Sequence, residues 1–188
     1  MKKYNIIYAD PAWSFGSKQL QKYNGKRFKS LDAEYKNSDS KEFEKLDVKD
    51  ITEKDCALFL WTTDAHIPNA LSLINAWGFK YKTVAFIWQK VTNKNNQICT
   101  LGAWTLKNCE ICLLATKGRM SKYKKSNNIR QLITAERTYH SKKPDIFADK
   151  IVELFGDLPR LEMFARDQKE GWDVWGNEVS NSIVINLT

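Results

Sequence analysis

Residues 10–13, Asp-Pro-Ala-Trp, put a carboxylate, a proline and an indole into four positions directly after the apolar run Tyr4–Ala9. An exocyclic amine on a nucleobase is a poor nucleophile, because its lone pair is delocalised into the ring. Hydrogen-bond acceptors on both of its N–H bonds let the nitrogen pyramidalise toward an electrophilic methyl group. The Asp10 carboxylate and the backbone carbonyl of Pro11 or Ala12 supply two such acceptors, and Pro11, with φ fixed near −65°, aims the carbonyl. Trp13, expected to be exposed, offers a ring on which a base can stack for ~1–3 kcal/mol. Taken alone, the four residues also fit an Asp-Pro turn followed by a core tryptophan.

A strand must hold Asp10 at its tip, and the rest of the chain reads as the layers around that strand. Ala57–Thr63 and Lys82–Lys90 are short apolar runs, as are Glu110–Thr116 and Arg160–Arg166, with a last candidate strand at Ser182–Leu187. Between them, Ile67, Ala70, Leu71, Ile74 and Trp77 repeat at helical spacing up to Gly78. A second helix is expected from about Lys143, with Pro144 in its first turn and Gly156 at its end. Strand–helix alternation predicts an α/β fold with a mostly parallel sheet and flanking helices. Ligands bind such sheets outside the carboxyl ends of the strands. Asp10, Asp64 and Arg166 are the polar residues expected there. The chain has no G-x-G-x-x-G and no G-x-x-x-x-G-K-[ST], which argues against dinucleotide and nucleoside-triphosphate sites.

The length of 188 residues, the seven tryptophans and the 43% hydrophobic content suit one folded domain over residues 1–188. No apolar run is long enough to cross a bilayer, and none near Met1 suits a signal peptide, so a cytoplasmic protein is expected. The formal net charge of +8 points to an anionic partner. Five basic side chains and no acid lie between Gly16 and Ser30, and nine basics against Glu136 alone lie between Lys117 and Lys143. Cys109 and Cys112 have C-x-x-C spacing, but on a strand they point to opposite faces. With two histidines in the chain, free and mostly buried thiols are expected rather than a metal site.

The ordered segments "YADPAW", "LFLWTTDAHIPNALSLINAWGFKY", "LGAWT", "NCEICLLATKGR", "HSKKPDIFADKIVELFGDLPRLEMFAR" and "GWDVWGNE" span nearly the whole chain. Together they resemble the nucleobase-amino methyltransferases that carry an Asp-Pro-Pro-(Trp/Tyr/Phe) motif. The branch is the one that contains the catalytic subunit of the eukaryotic mRNA adenine-N6 methyltransferase and small bacterial and phage relatives. The resemblance implies a permuted Rossmann-like fold, with the catalytic strand before the cofactor strand, and S-adenosylmethionine as methyl donor. It places Asp10, Pro11, Ala12 and Trp13 in catalysis, with Asp10 also near the donor's amine. It puts Lys143 on the donor's carboxylate, Phe164 and Arg166 along its nucleoside, and Asn177 and Glu178 on the ribose hydroxyls. Glu110 matches a position beside the target pocket, and Lys18, Lys26, Arg27, Arg119 and Arg137 are expected to hold phosphates.

Ala12 departs from the usual second proline and returns a backbone N–H, with some flexibility, to the motif. The adenine contacts are left open, with Ser182–Leu187 expected to close that side. An aspartate at the head of the motif implies adenine N6 first, with cytosine N4, which relatives with serine there more often take, as the minor option. No separate target-recognition domain is evident, which implies DNA rather than RNA as substrate and a short or lax target. The alternative is an inactive nucleic-acid-binding relative acting as a partner subunit. Such relatives lose the catalytic acid or the cofactor lysine, and this chain keeps both.

Overall fold

A computed structural model describes residues 2–13, 22–23, 26–27, 40–102, 104–138 and 142–187. Tyr4–Ala9 (β1) is buried at almost every position, as a strand covered on both faces must be. It pairs in parallel with Thr52–Thr62 (β4) on one side and with Arg160–Met163 (β8) on the other. Lys22–Tyr23 (β2) and Lys26–Arg27 (β3) form a separate antiparallel pair. The main sheet is completed by Lys80–Val91 (β5), Cys109–Lys117 (β6), Leu132–Glu136 (β7) and Asp173–Trp175 (β9), in the order β7-β5-β6-β4-β1-β8-β9. All its pairings are parallel except the two that β6 makes, with β4 and β5. The mostly parallel sheet is as expected, and "EICLLAT" is its one reversed strand.

Alternation along β4 splits the core between the two faces of the sheet. Leu58 and Leu60 pack with Leu73, Ile74 and Trp77 from and just beyond the helix Ile67–Ala76 (α2). On the other face Ala57, Phe59 and Trp61 pack with Phe147, Ile151 and Phe155 of the helix Ile146–Phe155 (α3). Gly78 and Gly156 follow these helices with φ of +79°, the left-handed conformation that lets a chain leave a helix sharply. A short helix, Ser40–Glu44 (α1), adds Phe43 to the first face.

Three expectations need correction. The second helix begins at Ile146, three residues after Lys143, so the lysine sits on the approach and not on the helix. The β8 strand stops at Met163, because Phe164 turns to a φ of +63°. Ser182–Leu187 is not a strand of the sheet. It meets α1's flank through one Leu46–Leu187 bridge and buries Ile185, while Val184 and Leu187 stay exposed. Among the described residues no helix is long and apolar enough to cross a membrane.

Candidate active site

β1, β4 and β8 run in the same direction, so their carboxyl ends share one edge, and reversed β6 brings its amino end to that edge. Asp10 leaves β1 there, and Glu110 enters β6 there. Between them stands Lys143, its side chain only 9% exposed and its Nζ 2.6 Å from Asp10 Oδ2 and 3.0 Å from Glu110 Oε2. Lys90, near the carboxyl end of β5, pairs with the same Glu110. Lys143 also lies over the Trp61 ring, 5.3 Å from its centroid, a favourable place for a cation.

The charges of this cluster depend on one another. Burial disfavours the Lys143 ammonium, but the Asp10 and Glu110 carboxylates outweigh it and hold the lysine above its ordinary value. Burial also penalises Glu110, and Lys143 with Lys90 overcomes that and keeps it below the usual range. For Asp10 burial wins, with the Glu110 charge adding to it. Its carboxyl is raised despite Lys143. A carboxylate held at a cost beside a buried cation is poised to take new hydrogen-bond donors.

A cleft of about 230 Å³ opens beside the cluster, and Asp10, Lys143, Glu162, Phe164 and Arg166 line it. The left-handed turn at Phe164 aims the chain across the cleft's edge. A bulky residue there stores backbone strain, opposed by packing of its ring on Phe43 (5.0 Å) and Trp175 (5.5 Å). Gly176 is required where the two sides meet, since a Cβ would fall 2.3 Å from the Ala165 carbonyl oxygen. Asn177 and Glu178 follow it, both exposed, and Glu178 Oε1 lies 4.0 Å from Arg166 Nε. The structure therefore brings Asp10, Lys143, Phe164 and Arg166 to one cleft; Glu178 reaches the Arg166 of that lining, while Asn177, next to it in the chain, is not part of the lining.

Other expectations are placed differently. Trp13 is 9% exposed, not an open ring. Its Nε1 donates to the Trp61 carbonyl at 2.9 Å, and the indole stacks on His66 with centroids 5.8 Å apart. Asp64 is exposed and paired with Lys107 at 2.9 Å, away from the cleft. Arg119 follows the carboxyl end of reversed β6, where its N–H donates to Asp55 at the far edge of the sheet from Asp10. Arg137, exposed beyond β7, is on the Asp10 edge. Lys18 lies outside the described residues, and Lys26 and Arg27 are described only as backbone of β3.

Cys56 and Cys112 are buried, whereas Cys99 and Cys109 are exposed, so only half the thiols follow the expectation. Among the described residues no cluster of His, Cys, Asp or Glu could hold a metal ion. Sequence reasoning missed Lys90, Glu162 and His66. Lys90 carried the same signal as Asp10, a polar residue where an apolar strand ends.

A sheet with one reversed strand, carrying its acid, lysine and cleft at the carboxyl ends, defines a permuted Rossmann-like methyltransferase. Residues 4–178 match the MT-A70 family. A curated relative, the type II methyltransferase M.MunI of a Mycoplasma species, is 38% identical over 192 residues, covering 96% of this chain and 80% of that protein. The chain belongs to the MT-A70 family, and it is an S-adenosylmethionine-dependent adenine-N6 methyltransferase acting on nucleic acid. The cleft's groups suit that donor: a buried ammonium for a carboxylate, carboxylates for cationic centres, and an Arg–Glu pair at the rim for polar contacts.

Proposed function

We propose that this chain methylates adenine N6 in DNA, through Asp10 and the backbone of Pro11 and Ala12, with Trp13 behind them. The observation that carries the reading is Lys143 bridging Asp10 and Glu110 beside the cleft. S-adenosylmethionine supplies an electrophilic methyl on its sulfonium. Lys143 would hold the donor's carboxylate end, Asp10 its amine, and Phe164, Arg166, Asn177 and Glu178 its nucleoside. Asp10 and a neighbouring carbonyl would accept the two N6–H bonds and turn the nitrogen lone pair toward the methyl. As the N–C bond forms the methyl–sulfur bond breaks, its electron pair staying on the neutral thioether, and the proton lost from nitrogen passes by way of the Asp10 carboxylate to water. Glu110 borders the base pocket. Trp13, clamped by Trp61 and His66, presents a fixed edge or face to the base rather than a mobile ring.

A paired adenine cannot reach this pocket, so the substrate is flipped or single-stranded. Exposed cations on the Asp10 edge, Arg137 among them, hold phosphates and set position rather than sequence. DNA is favoured because M.MunI is named as a type II methyltransferase and the match covers most of both chains. We read residues 1–188 as one methyltransferase domain that works in the cytoplasm, where its substrate is found.

Purified protein, labelled donor and single-stranded DNA, duplex DNA or RNA, followed by digestion to nucleosides, tests this. N6-methyladenine is expected from DNA, with Asp10→Ala at least ~100-fold slower. Because burial raises the Asp10 carboxyl, the rate should fall on acidification while the pH is still above the ordinary aspartate range. No methylated adenine, product from RNA alone, or an undiminished Asp10→Ala rate would each refute the reading.

A further inference from the structure

Among the acids of the cleft that the chemistry above leaves unused, Glu162 is the one on a strand of the sheet. Glu162 stands on β8 opposite Tyr8 in the register, half-buried, with its side chain among the cleft's lining. Among the described residues it makes no hydrogen bond and no ion pair. The nearby cations are occupied elsewhere. Lys169 pairs with Asp145 (3.3 Å) and Asp149 (3.4 Å), and Lys142 pairs with Asp167 (2.9 Å). Lys143 is held by Asp10 and Glu110.

S-adenosylmethionine has a sulfonium, an ammonium and a carboxylate, hence one net positive charge. Loss of the methyl leaves a neutral thioether on an otherwise identical molecule. Donor and product therefore differ in charge only at sulfur, and a site that tells them apart needs a negative group nearby without its own counter-ion. Among the described residues four cations, Lys142, Lys143, Arg166 and Lys169, line the cleft against five acids, Asp10, Asp145, Glu162, Asp167 and Glu170. Glu170 is exposed to water, which leaves Glu162 as the half-buried unpaired acid.

We propose that Glu162 is the specificity residue by which the cleft prefers the cationic methyl donor to its neutral demethylated product, and so limits inhibition by that product. The proposal rests on the reading that this cleft holds the donor. Burial, and after it the charge of Asp10, pushes the Glu162 carboxyl up to about 7. Below that pH Glu162 is protonated and indifferent to the sulfonium. Above it the carboxylate is present, so the preference for donor grows as pH rises.

The groups around Glu162 are Tyr8 on β1 and Asp10 just after it, with Lys142, Lys143 and Asp145 before α3. Arg166, Asp167, Lys169 and Glu170 follow β8. The Asp10 carboxyl is also raised, in the same direction, so only a variant at Glu162 separates the two.

Calorimetry on the full chain, with S-adenosylmethionine and with S-adenosylhomocysteine at pH 6 and pH 8, gives the ratio of product to donor Kd directly. The wild type should show that ratio rising about fivefold from pH 6 to pH 8, a modest charge interaction at protein-like dielectric. Glu162→Gln should flatten it by weakening donor binding alone, and Glu162→Asp should retain the rise. A flat ratio in the wild type overturns the proposal, and so does a Glu162→Gln variant that keeps the rise. If neither ligand binds to the folded protein at either pH, the donor site itself is misplaced, and both readings fall together.

Discussion

Lys143 touches both carboxylates of the site, and that makes its loss different from loss of an ordinary surface cation. Lys143→Met keeps the stem's length but leaves Asp10 and Glu110 side by side without their shared counter-ion. Removing one member of a buried ionic group costs on the order of 3 kcal/mol, mostly as the penalty on the charges left behind. Those charges can be relieved by protonation, so the cost should be larger at pH 8 than at pH 5. Urea unfolding at the two pH values reads this, and an equal loss at both would show that Lys143 acts by packing over Trp61 instead. The residue-level site was largely legible: Asp10 ends an apolar strand, and the "SKKPD" and "FAR" segments carried the resemblance. Glu162 was not, because it looks like a surface charge until the sheet register and the cleft show what it faces, whereas Lys90 carried Asp10's strand-end signal and was passed over.

At the scale of elements, the turn after β8 holds the cleft's far wall. Phe164 adopts a φ of +63° in a segment that hydrophobic patterning reads as continuous strand. Period-two alternation reports which side chains can be buried. It does not report the backbone angle at which a strand stops. Glycine normally destabilises a folded position relative to alanine by roughly 0.5–1 kcal/mol, but here the conformation favours it. Phe164→Ala should lose ring packing and keep the strain, at a cost of about 2 kcal/mol, whereas Phe164→Gly should be no worse. Thermal unfolding of the pair checks the order, and the usual preference for alanine would argue that the turn carries no strain. The same limit explains the two strands that sequence reading missed and the one it misplaced. β9 is too short to show a period, and β7 buries one residue, Ile133, within a basic stretch. Ser182–Leu187 alternates convincingly yet leaves Val184 and Leu187 in water.

Across the whole molecule, the direction of the strands decides which basic residues serve the site. Sequence placed Arg119 and Arg137 in one basic run, but reversed β6 carries Arg119 to the edge away from Asp10, while parallel β7 delivers Arg137 to the near one. A single phosphate contact changes the slope of log affinity against log salt by about one. Arg137→Ala should reduce that slope for a DNA oligonucleotide, and Arg119→Ala should leave both slope and affinity alone. Titrations over a salt series, read by fluorescence anisotropy, would expose an error if the two variants behaved alike. The general fold was readable from alternation, since it follows from buried runs and helical spacing. Strand direction was not, because a short apolar run looks the same in either orientation. The position of β1 carries a consequence for synthesis. It is translated first, yet it lies between β4 and β8 and gains its second neighbour only when Arg160–Met163 has been made. Until then a nascent chain carries one bare, hydrophobic strand edge, an invitation to mispairing on the ribosome. The strand that brings the acid must wait, through every residue between the two, for the one that completes the cleft.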